Sequence, residues 1–396
     1  MLWRYACLLL LAASAACARQ GANASAAAGQ PTPQTADSVA APANAEAQGA
    51  PLRFKGEIEN LKVEMELRRE GEALSGWYQY EGKKGRLTLK GTVAADGGLS
   101  LQEFDENGAQ SGVFKGRWHG GSFAPQAQIE GEWSKPDGGG EKDFWLAEQL
   151  VDPDGPVKIE TKVLKEDDKK QSYSFRAEYP QIINPSGENA VKFNRKIEDL
   201  VKKKLKDLKE GDGDGEDEAD RKDVEQTLKE TGREFDSNDE INCDALLATD
   251  SLISVRCEDS SFEGTMAHPS HEFTVVNFDL KQGRDLKLAD LFKPGSNYLK
   301  AVSDRSIAAL REWNKDSATY TGSQGQPYLE DPAFAEGARP KPENYQVWNL
   351  TQKGLAITFD YYQLGAYAAG APSVLIPYDQ LKDVLRPDGP LAPFVR

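Results

Sequence analysis

Between Leu52 and Glu148 the apolar residues alternate in short runs, and a turn signal closes each run at short, even spacing. The runs are Val63-Met65-Leu67, Trp77-Tyr78-Tyr80, Leu87-Leu89, Leu99-Leu101, Val113-Phe114, Ile129-Trp133 and Phe144-Leu146. Between them stand Arg69–Glu72, Glu81–Lys83, Asp96–Gly98, Glu106–Gly108, His119–Gly121 and Asp137–Gly140. No helical period of useful length interrupts, so the segment reads as an antiparallel meander. An open meander would leave edge strands free to pair with other chains; closing it into an up-and-down barrel removes them. Residues 52–150 are therefore read as an all-β, barrel-like domain.

A glycine-plus-aromatic theme recurs inside it, at Gly76-Trp77-Tyr78, Gly112–Gly116 and Gly131-Glu132-Trp133. In outline this resembles lipocalin-like or avidin-like barrels. Trp77, Tyr78, Tyr80, Trp118 and Trp133 either line a ligand cavity or fill the core. Core filling is the preferred reading, because small barrels are usually packed solid.

Arg4 followed by the apolar run Ala6–Ala13 has the layout of a signal peptide, and the run is too short to span a bilayer as a mature helix. Ser14-Ala15-Ala16-Cys17 places small residues before a cysteine, as in a bacterial lipobox, with Ser14 where leucine is usual. Lipidation at Cys17 is the expectation, with residues 1–16 as the signal peptide; ordinary cleavage after Ala16 or Ala18 is the alternative. Residues 17–51 are mostly Ala, Gln, Pro, Ser and Thr and cannot bury enough surface to order themselves, so they read as a disordered tether. The chain is thus expected in the cell envelope, facing the periplasm or exterior and touching the membrane through its N-terminal lipid only. Its 64 acidic against 48 basic residues give a net charge of -16. That disfavours nucleic acid as a partner and would steer a basic protein toward the surface.

Of the four cysteines, Cys7 leaves with the signal peptide and Cys17 is the lipid candidate, so Cys243 and Cys257 remain in an oxidising compartment. Cys243, Ala245 and Leu247 share one strand face; Ile253, Val255 and Cys257 share another. Folding about Asp250 sets 243 opposite 257, 245 opposite 255 and 247 opposite 253, which predicts a Cys243–Cys257 disulfide across a hairpin. Two buried free thiols are the alternative.

After a boundary at Val151–Val157, helices and strands mix. Val157–Pro180 reads as two strands around the charged turn Glu166–Lys170. Asn189–Lys209 places Val191, Asn194, Ile197, Val201, Leu205 and Leu208 at helical spacing. Glu210–Asp220 begins like an EF-hand, but the twelfth position falls on Arg221 where a bidentate Glu is needed, so a solvated loop is preferred. Beyond the cysteine hairpin come a strand at Glu272–Leu280 and helical segments at Leu286–Phe292 and Tyr298–Trp313. An irregular insertion at Ser317–Pro342 precedes strands at Gln346–Leu350, Leu355–Tyr361 and Val374–Pro377, then a short helix at Tyr378–Leu385. The fold class expected is α+β: an antiparallel β-barrel-like meander, then an α+β domain with an antiparallel sheet and packed helices, divided as 157–262 and 263–396.

Two of the three histidines are His268 and His271, a spacing that can hold a divalent metal through two imidazoles. A catalytic site would need a third ligand and a base, and the remaining histidine, His119, lies in the barrel segment. Pro269 opposes the helix that presents such pairs. His268 and His271 are therefore weak metal candidates; loop histidines bonded to backbone is the preferred reading, and no metal or cofactor is expected. Tyr361, Tyr362 and Tyr367 flank an Ala/Gly-rich loop ending in Pro372. Small residues there let a partner's backbone approach and tyrosine anchors interfaces well, although the same rings could simply close a core. No Gly-x-Ser-x-Gly, P-loop or dinucleotide fingerprint is present.

Gly264–Pro269 (GTMAHP), Asn277–Leu280 with Gly283, and Leu286–Phe292 resemble the pattern "GGAHP … NFDLKTGK … LKDLF", with Thr265 and Met266 in place of its two glycines. Phe359–Pro372 with Ile376-Pro377-Tyr378 resembles the second motif of the same family. This is the extracellular domain family of the RsiV anti-sigma factor and of the accessory region of PdaC-type peptidoglycan deacetylases, and the resemblance covers Val157–Leu385. It implies a binding module. In the anti-sigma factor the domain binds lysozyme, a basic protein; in the deacetylases it is not the catalytic part. Neither the transmembrane helix of the one nor the catalytic domain of the other is read in this chain. The function expected is non-enzymatic binding at the cell envelope, of lysozyme or of peptidoglycan, with His268, Tyr361, Tyr362 and Tyr367 as candidate binding residues. A metal-dependent hydrolase acting on wall glycans through His268 and His271 is the alternative.

Overall fold

The computed structural model describes residues 51–120, 123–168, 173–210, 237–263, 268–321 and 332–395. The signal peptide, Cys17, the tether through residue 50, the segment 211–236 and the motif residues 264–267 lie outside them.

Eight strands make the first layer: β1 (Leu52–Ile58), β2 (Leu61–Glu70), β3 (Ala73–Tyr80), β4 (Leu87–Val93), β5 (Gly98–Phe104), β6 (Gln110–His119), β7 (Gln128–Ser134) and β8 (Lys142–Glu148). Each pairs antiparallel with the next, and β8 returns to β1, so the barrel is closed. The alternate residues point inward and are buried: Phe54, Ile58, Val63, Met65, Leu67, Leu89 and Leu101 among them. Tyr78, Phe114 and Phe144 stand edge to face in sequence, at 5.5 and 5.2 Å between centroids. Glu103 is a polar member of this interior. At 3% exposure, its carboxylate accepts hydrogen bonds from Tyr78 Oη (2.7 Å), Trp133 Nε1 (2.7 Å) and Ser111 Oγ (2.8 Å). Gly112 makes this possible: a Cβ there would lie 2.4 Å from Trp133 Nε1, so only a bare backbone lets the indole reach Glu103. Burial first, and then the Glu103 charge, push the Tyr78 hydroxyl far above its ordinary pKa and keep it a donor.

The second layer is a six-stranded sheet in the order β14-β13-β12-β11-β10-β9. Its members are β9 (Ile159–Asp168), β10 (Tyr173–Ile182), β11 (Ser237–Ala248), β12 (Leu252–Glu263), β13 (Ser270–Asp279) and β14 (Arg284–Asp285). It runs through residue 262, since β13 and β14 join from the C-terminal side. One pair, β10 with β11, is parallel, the others antiparallel. A parallel pair needs a crossover, and helix α1 (Glu188–Glu210) lies within that connection. Ala190, Phe193, Ile197, Val201 and Leu205 form its buried stripe. The phase differs from the sequence expectation. Val191 is exposed, Phe193 takes the centre, and Asn194 turns its side chain to the Ile182 backbone at 2.8 and 3.0 Å. At Gly283 (φ +64°) a Cβ would lie 2.2 Å from Asn189 Oδ1, so the turn after β13 can seat against the start of α1 only as glycine.

Cys243 and Cys257 form the disulfide, directly opposite in the register of β11 and β12. Ala245 faces Val255 as expected, but Leu247 then faces Ser254 rather than Ile253, because a β-bulge intervenes. The extra residue swings Leu247 off the core under α1 and into the third one.

That third core lies between helix α2 (Tyr298–Thr321), helix α3 (Pro332–Gly337) and a small antiparallel sheet of β15 (Trp348–Leu350), β16 (Gly354–Thr358) and β17 (Ser373–Pro377). Helix α2 runs on past Trp313 and α3 forms within 317–342, where the composition predicts an irregular insertion. The segments Leu286–Phe292 and Tyr378–Leu385, expected helical, hold only 3-10 turns at Leu288–Leu291 and Tyr378–Leu381. A buried polar seam joins the two sheets. Ser254 Oγ donates to Asn277 Oδ1 (2.6 Å), Asn277 Nδ2 to the Trp348 carbonyl (2.8 Å), and Asn349 Nδ2 to Ser254 Oγ (2.9 Å). The barrel is tied to β17 by the Leu375 N–H to the Phe123 carbonyl (2.8 Å). The Lys353–Glu148 ion pair (2.7 Å) adds a second tie, and its carboxylate is almost fully buried.

Candidate binding site

The loop 359–372 joins β16 to β17, and its base is closed twice. The Phe359 N–H donates to the Pro372 carbonyl at 2.9 Å, and the Thr358 and Ser373 hydroxyls meet at 2.9 Å. Arg256, reaching across from β12, donates through Nη1 to both hydroxyls (3.0 and 3.3 Å), which anchors the loop to the larger sheet. From behind, Gln363 Nε2 donates to the carbonyls of Gly337 (2.9 Å) and Asn344 (3.0 Å), its Oε1 accepts the Asp360 N–H (2.9 Å), and Leu364 is buried. With Gln363 and Leu364 held inward, Tyr362 projects outward at 59% exposure, its backbone in the left-handed region (φ 63°). That conformation costs a bulky residue on the order of 1–3 kcal/mol and persists only where the surroundings impose it.

The start of β13 supplies the other half. His268 stacks on Tyr367 (3.8 Å, 18°), Tyr367 on Tyr361 (5.1 Å, 27°), and Tyr361 on His271 (4.5 Å, 18°). Phe273 lies parallel to Tyr361 at 6.3 Å and carries the Arg256 guanidinium over its ring at 5.8 Å. Hydrogen bonds fix the ring orientations. His268 Nδ1 sits 3.0 Å from the Pro269 carbonyl, which only accepts, so Nδ1 donates there, and Nε2 is hydrogen-bonded with Tyr362 Oη at 3.2 Å. Tyr367 Oη donates to the same carbonyl at 3.2 Å. His271 Nδ1 donates to Glu258 Oε1 at 3.0 Å, because the register sets Glu258 opposite Phe273 and Ser260 opposite His271.

The result is an open hollow of about 370 Å³, lined by the two histidines, the three tyrosines, Pro269, Ser270 and Asp360. Asp360 Oδ1 accepts the Tyr361 N–H at 2.8 Å. Burial pushes its carboxyl pKa up, and Glu272 pushes the same way; the Tyr361 N–H and His271 oppose. Such a surface can grip a ligand through ring faces, hydroxyls and one carboxylate. It fits a metal poorly. Both Nδ1 atoms are committed as donors, and His268 Nε2 is engaged by Tyr362. Among the described residues no group of three His, Cys, Asp or Glu is placed to hold a metal ion. His119 sits in the barrel beside Glu130, at 3.4 Å.

Residues 289–379 match the model of a family described as a protein of unknown function, DUF3298. The chain carries this domain. The DUF3298 stretch includes α2, the small sheet and Tyr361, Tyr362 and Tyr367, whereas His268 and His271 precede it. The peptidoglycan-N-acetylmuramic acid deacetylase PdaC of Bacillus subtilis is 29% identical over 120 residues, which are 30% of this chain and 23% of the relative. The chain thus spans about a quarter of that relative's length. Two solved structures are similar to it. A DUF3298 family member from Bacteroides fragilis covers 59% of this chain and 94% of its own, at 19% identity and a TM-score of 0.37. A DUF3298 family protein from Pseudomonas aeruginosa PAO1 covers 60% and 97%, at 15% identity and a TM-score of 0.37.

His268, Tyr361, Tyr362 and Tyr367 come together with His271, although 89 residues separate the two halves of the chain that carry them. Sequence reasoning missed Asp360, Glu258 and Phe273. Asp360 stood inside a motif already singled out, next to Tyr361, and a carboxylate beside a tyrosine pair was signal enough. Glu258 and Phe273 depend on the β12–β13 register, for which the sequence carries no marker comparable to the cysteine pair.

Proposed function

We propose that this is an exported, lipid-anchored binding protein of the cell envelope, and that the histidine–tyrosine hollow holds the glycan of peptidoglycan without acting on it chemically. The observation that carries this is the convergence of five aromatic side chains on one open hollow, with Tyr362 exposed on a left-handed backbone. A pyranose ring has an apolar C–H face and a rim of hydroxyls. Tyrosine and histidine rings offer a complementary negative π-face, and their polar edges with Asp360 offer donors and acceptors. The hollow's volume lies within the roughly 300–1,000 Å³ usual for small-ligand sites. Likeness to an enzyme named for peptidoglycan supports the choice of polymer, and the signal-peptide pattern with Cys17 supports the location.

Co-sedimentation of the purified protein with peptidoglycan sacculi tests the proposal. Retention by the wild type is expected, reduced about tenfold or more in Tyr367→Ala, because that ring is stacked at the centre of the cluster. A chelator should change nothing. Equal retention of the variant, or none of either protein, overturns the reading. Chelator-sensitive release of sugar fragments would establish the hydrolase instead. A second reading rests on the net charge of -16: retention of lysozyme, weakened by salt, with no retention by sacculi would favour a basic protein as the partner.

A further inference from the structure

The hollow combines aromatic rings with a carboxylate and holds no lysine or arginine among its lining residues. Asp360 reaches its wall, and Glu258 and Glu272 stand beside it, Glu258 bonded to His271 and Glu272 close enough to act on Asp360. Two neighbouring basic groups are engaged by other partners. Arg256 is committed to Thr358, Ser373 and the face of Phe273, and Lys204 bridges Asp259 and Glu272 at 2.8 and 2.6 Å. The site therefore presents an aromatic surface and negative charge together, two features that attract an ammonium group more strongly than an amide. A neutral N-acetyl sugar would use the rings but leave Asp360, partly desolvated, facing an uncharged group.

We propose that the hollow is selective for glycan bearing a free amine, an amino sugar from which the acetyl group has been removed, with the ammonium seated between Asp360 and the exposed ring of Tyr362. The proposal rests on the glycan reading above. In Asp360→Asn the side-chain oxygen that accepts the Tyr361 N–H is retained, so the loop keeps its fold while the charge is lost.

Isothermal titration of the full chain with a glucosamine tetrasaccharide and with an N-acetylglucosamine tetrasaccharide tests this at about pH 7, where such amines are largely protonated. The amino form should bind about tenfold more tightly, as suits one added charge-assisted contact. In Asp360→Asn that advantage should disappear, the two forms then binding with equal affinity. Equal binding of the two sugars overturns the amine preference and leaves the glycan reading standing. Binding of neither sugar, with sacculi also not retained, overturns both. Binding of a lysine tetrapeptide as tightly as the amino sugar, with the N-acetyl sugar unbound, assigns the hollow to a peptide amine and also overturns the proposal.

Discussion

The barrel interior and the hollow beside Tyr361 are built from the same kinds of residue, aromatic rings gathered around a carboxylate, yet they come to opposite ends. In the barrel, Glu103 receives three side-chain donors and the rings around it pack edge to face. In the hollow, Asp360 accepts one backbone N–H, the rings stack in a compact cluster, and Tyr362 stands open to solvent on a strained backbone. Aromatic content therefore does not mark a site. What separates them is burial: the barrel groups are sealed inside a core, whereas the hollow is open and Tyr362 is exposed, so a ligand can reach it.

The comparison can be broken at either end. Removing the barrel carboxylate should have the largest effect. In Glu103→Ala, Tyr78 Oη and Trp133 Nε1 lose their acceptor inside the core, so urea unfolding should show a loss of about 2–5 kcal/mol, with sacculus retention by the folded fraction unchanged. A loss below about 1 kcal/mol would mean the barrel is less closed than its geometry implies. Next comes the Cys243–Cys257 disulfide, 14 residues apart. Replacing both cysteines by serine should cost about 3 kcal/mol, read from the difference in denaturant midpoint. Tyr362→Gly should act in the opposite direction on stability. Glycine relieves the left-handed backbone, so the variant should gain about 1 kcal/mol while retention by sacculi falls; loss of stability would show that the Tyr362 ring is structural.

The smallest effect is a pH dependence at Asp360. Its carboxyl pKa is raised in the folded state, chiefly by burial, so the folded protein holds that proton more firmly than the unfolded chain. This contribution to stability is present below the unfolded carboxylate pKa, about 3.9, and is lost as pH rises through the higher folded value. Asp360→Asn removes that loss. Its melting temperature relative to wild type should therefore climb by a degree or so between acid and neutral pH in a thermal melt series. A difference that is flat with pH would show that the carboxyl is as solvated folded as unfolded.

The barrel was legible because its information is local. Alternation within each run and a turn after each fixes neighbours in space as well as in sequence, and closure follows from the edge problem. The cysteine pair gave the β11–β12 register up to Ala245, and failed at Leu247, where a bulge serves a core built from helices and strands far along the chain. The parallel β10–β11 pair was not legible, because its crossover gives no register signal of its own. In α1, spacing alone admitted Val191 where the bulkier Phe193 sets the phase. The hollow was half legible: tyrosines and histidines drew notice by type, but their stacking order, Glu258 and Phe273 depend on non-local pairing of β12, β13 and the 359–372 loop.

The most direct test of the central claim reads the tyrosine rings of both regions in one experiment. Full-length protein carrying 13C-labelled tyrosine is titrated with a soluble amine-bearing glycan fragment, and the ring resonances are followed by NMR. The account predicts that Tyr361, Tyr362 and Tyr367 shift together and saturably while Tyr78 and Tyr80 in the barrel stay fixed. Saturable shifts of the barrel tyrosines, with those of the hollow unmoved, would contradict it.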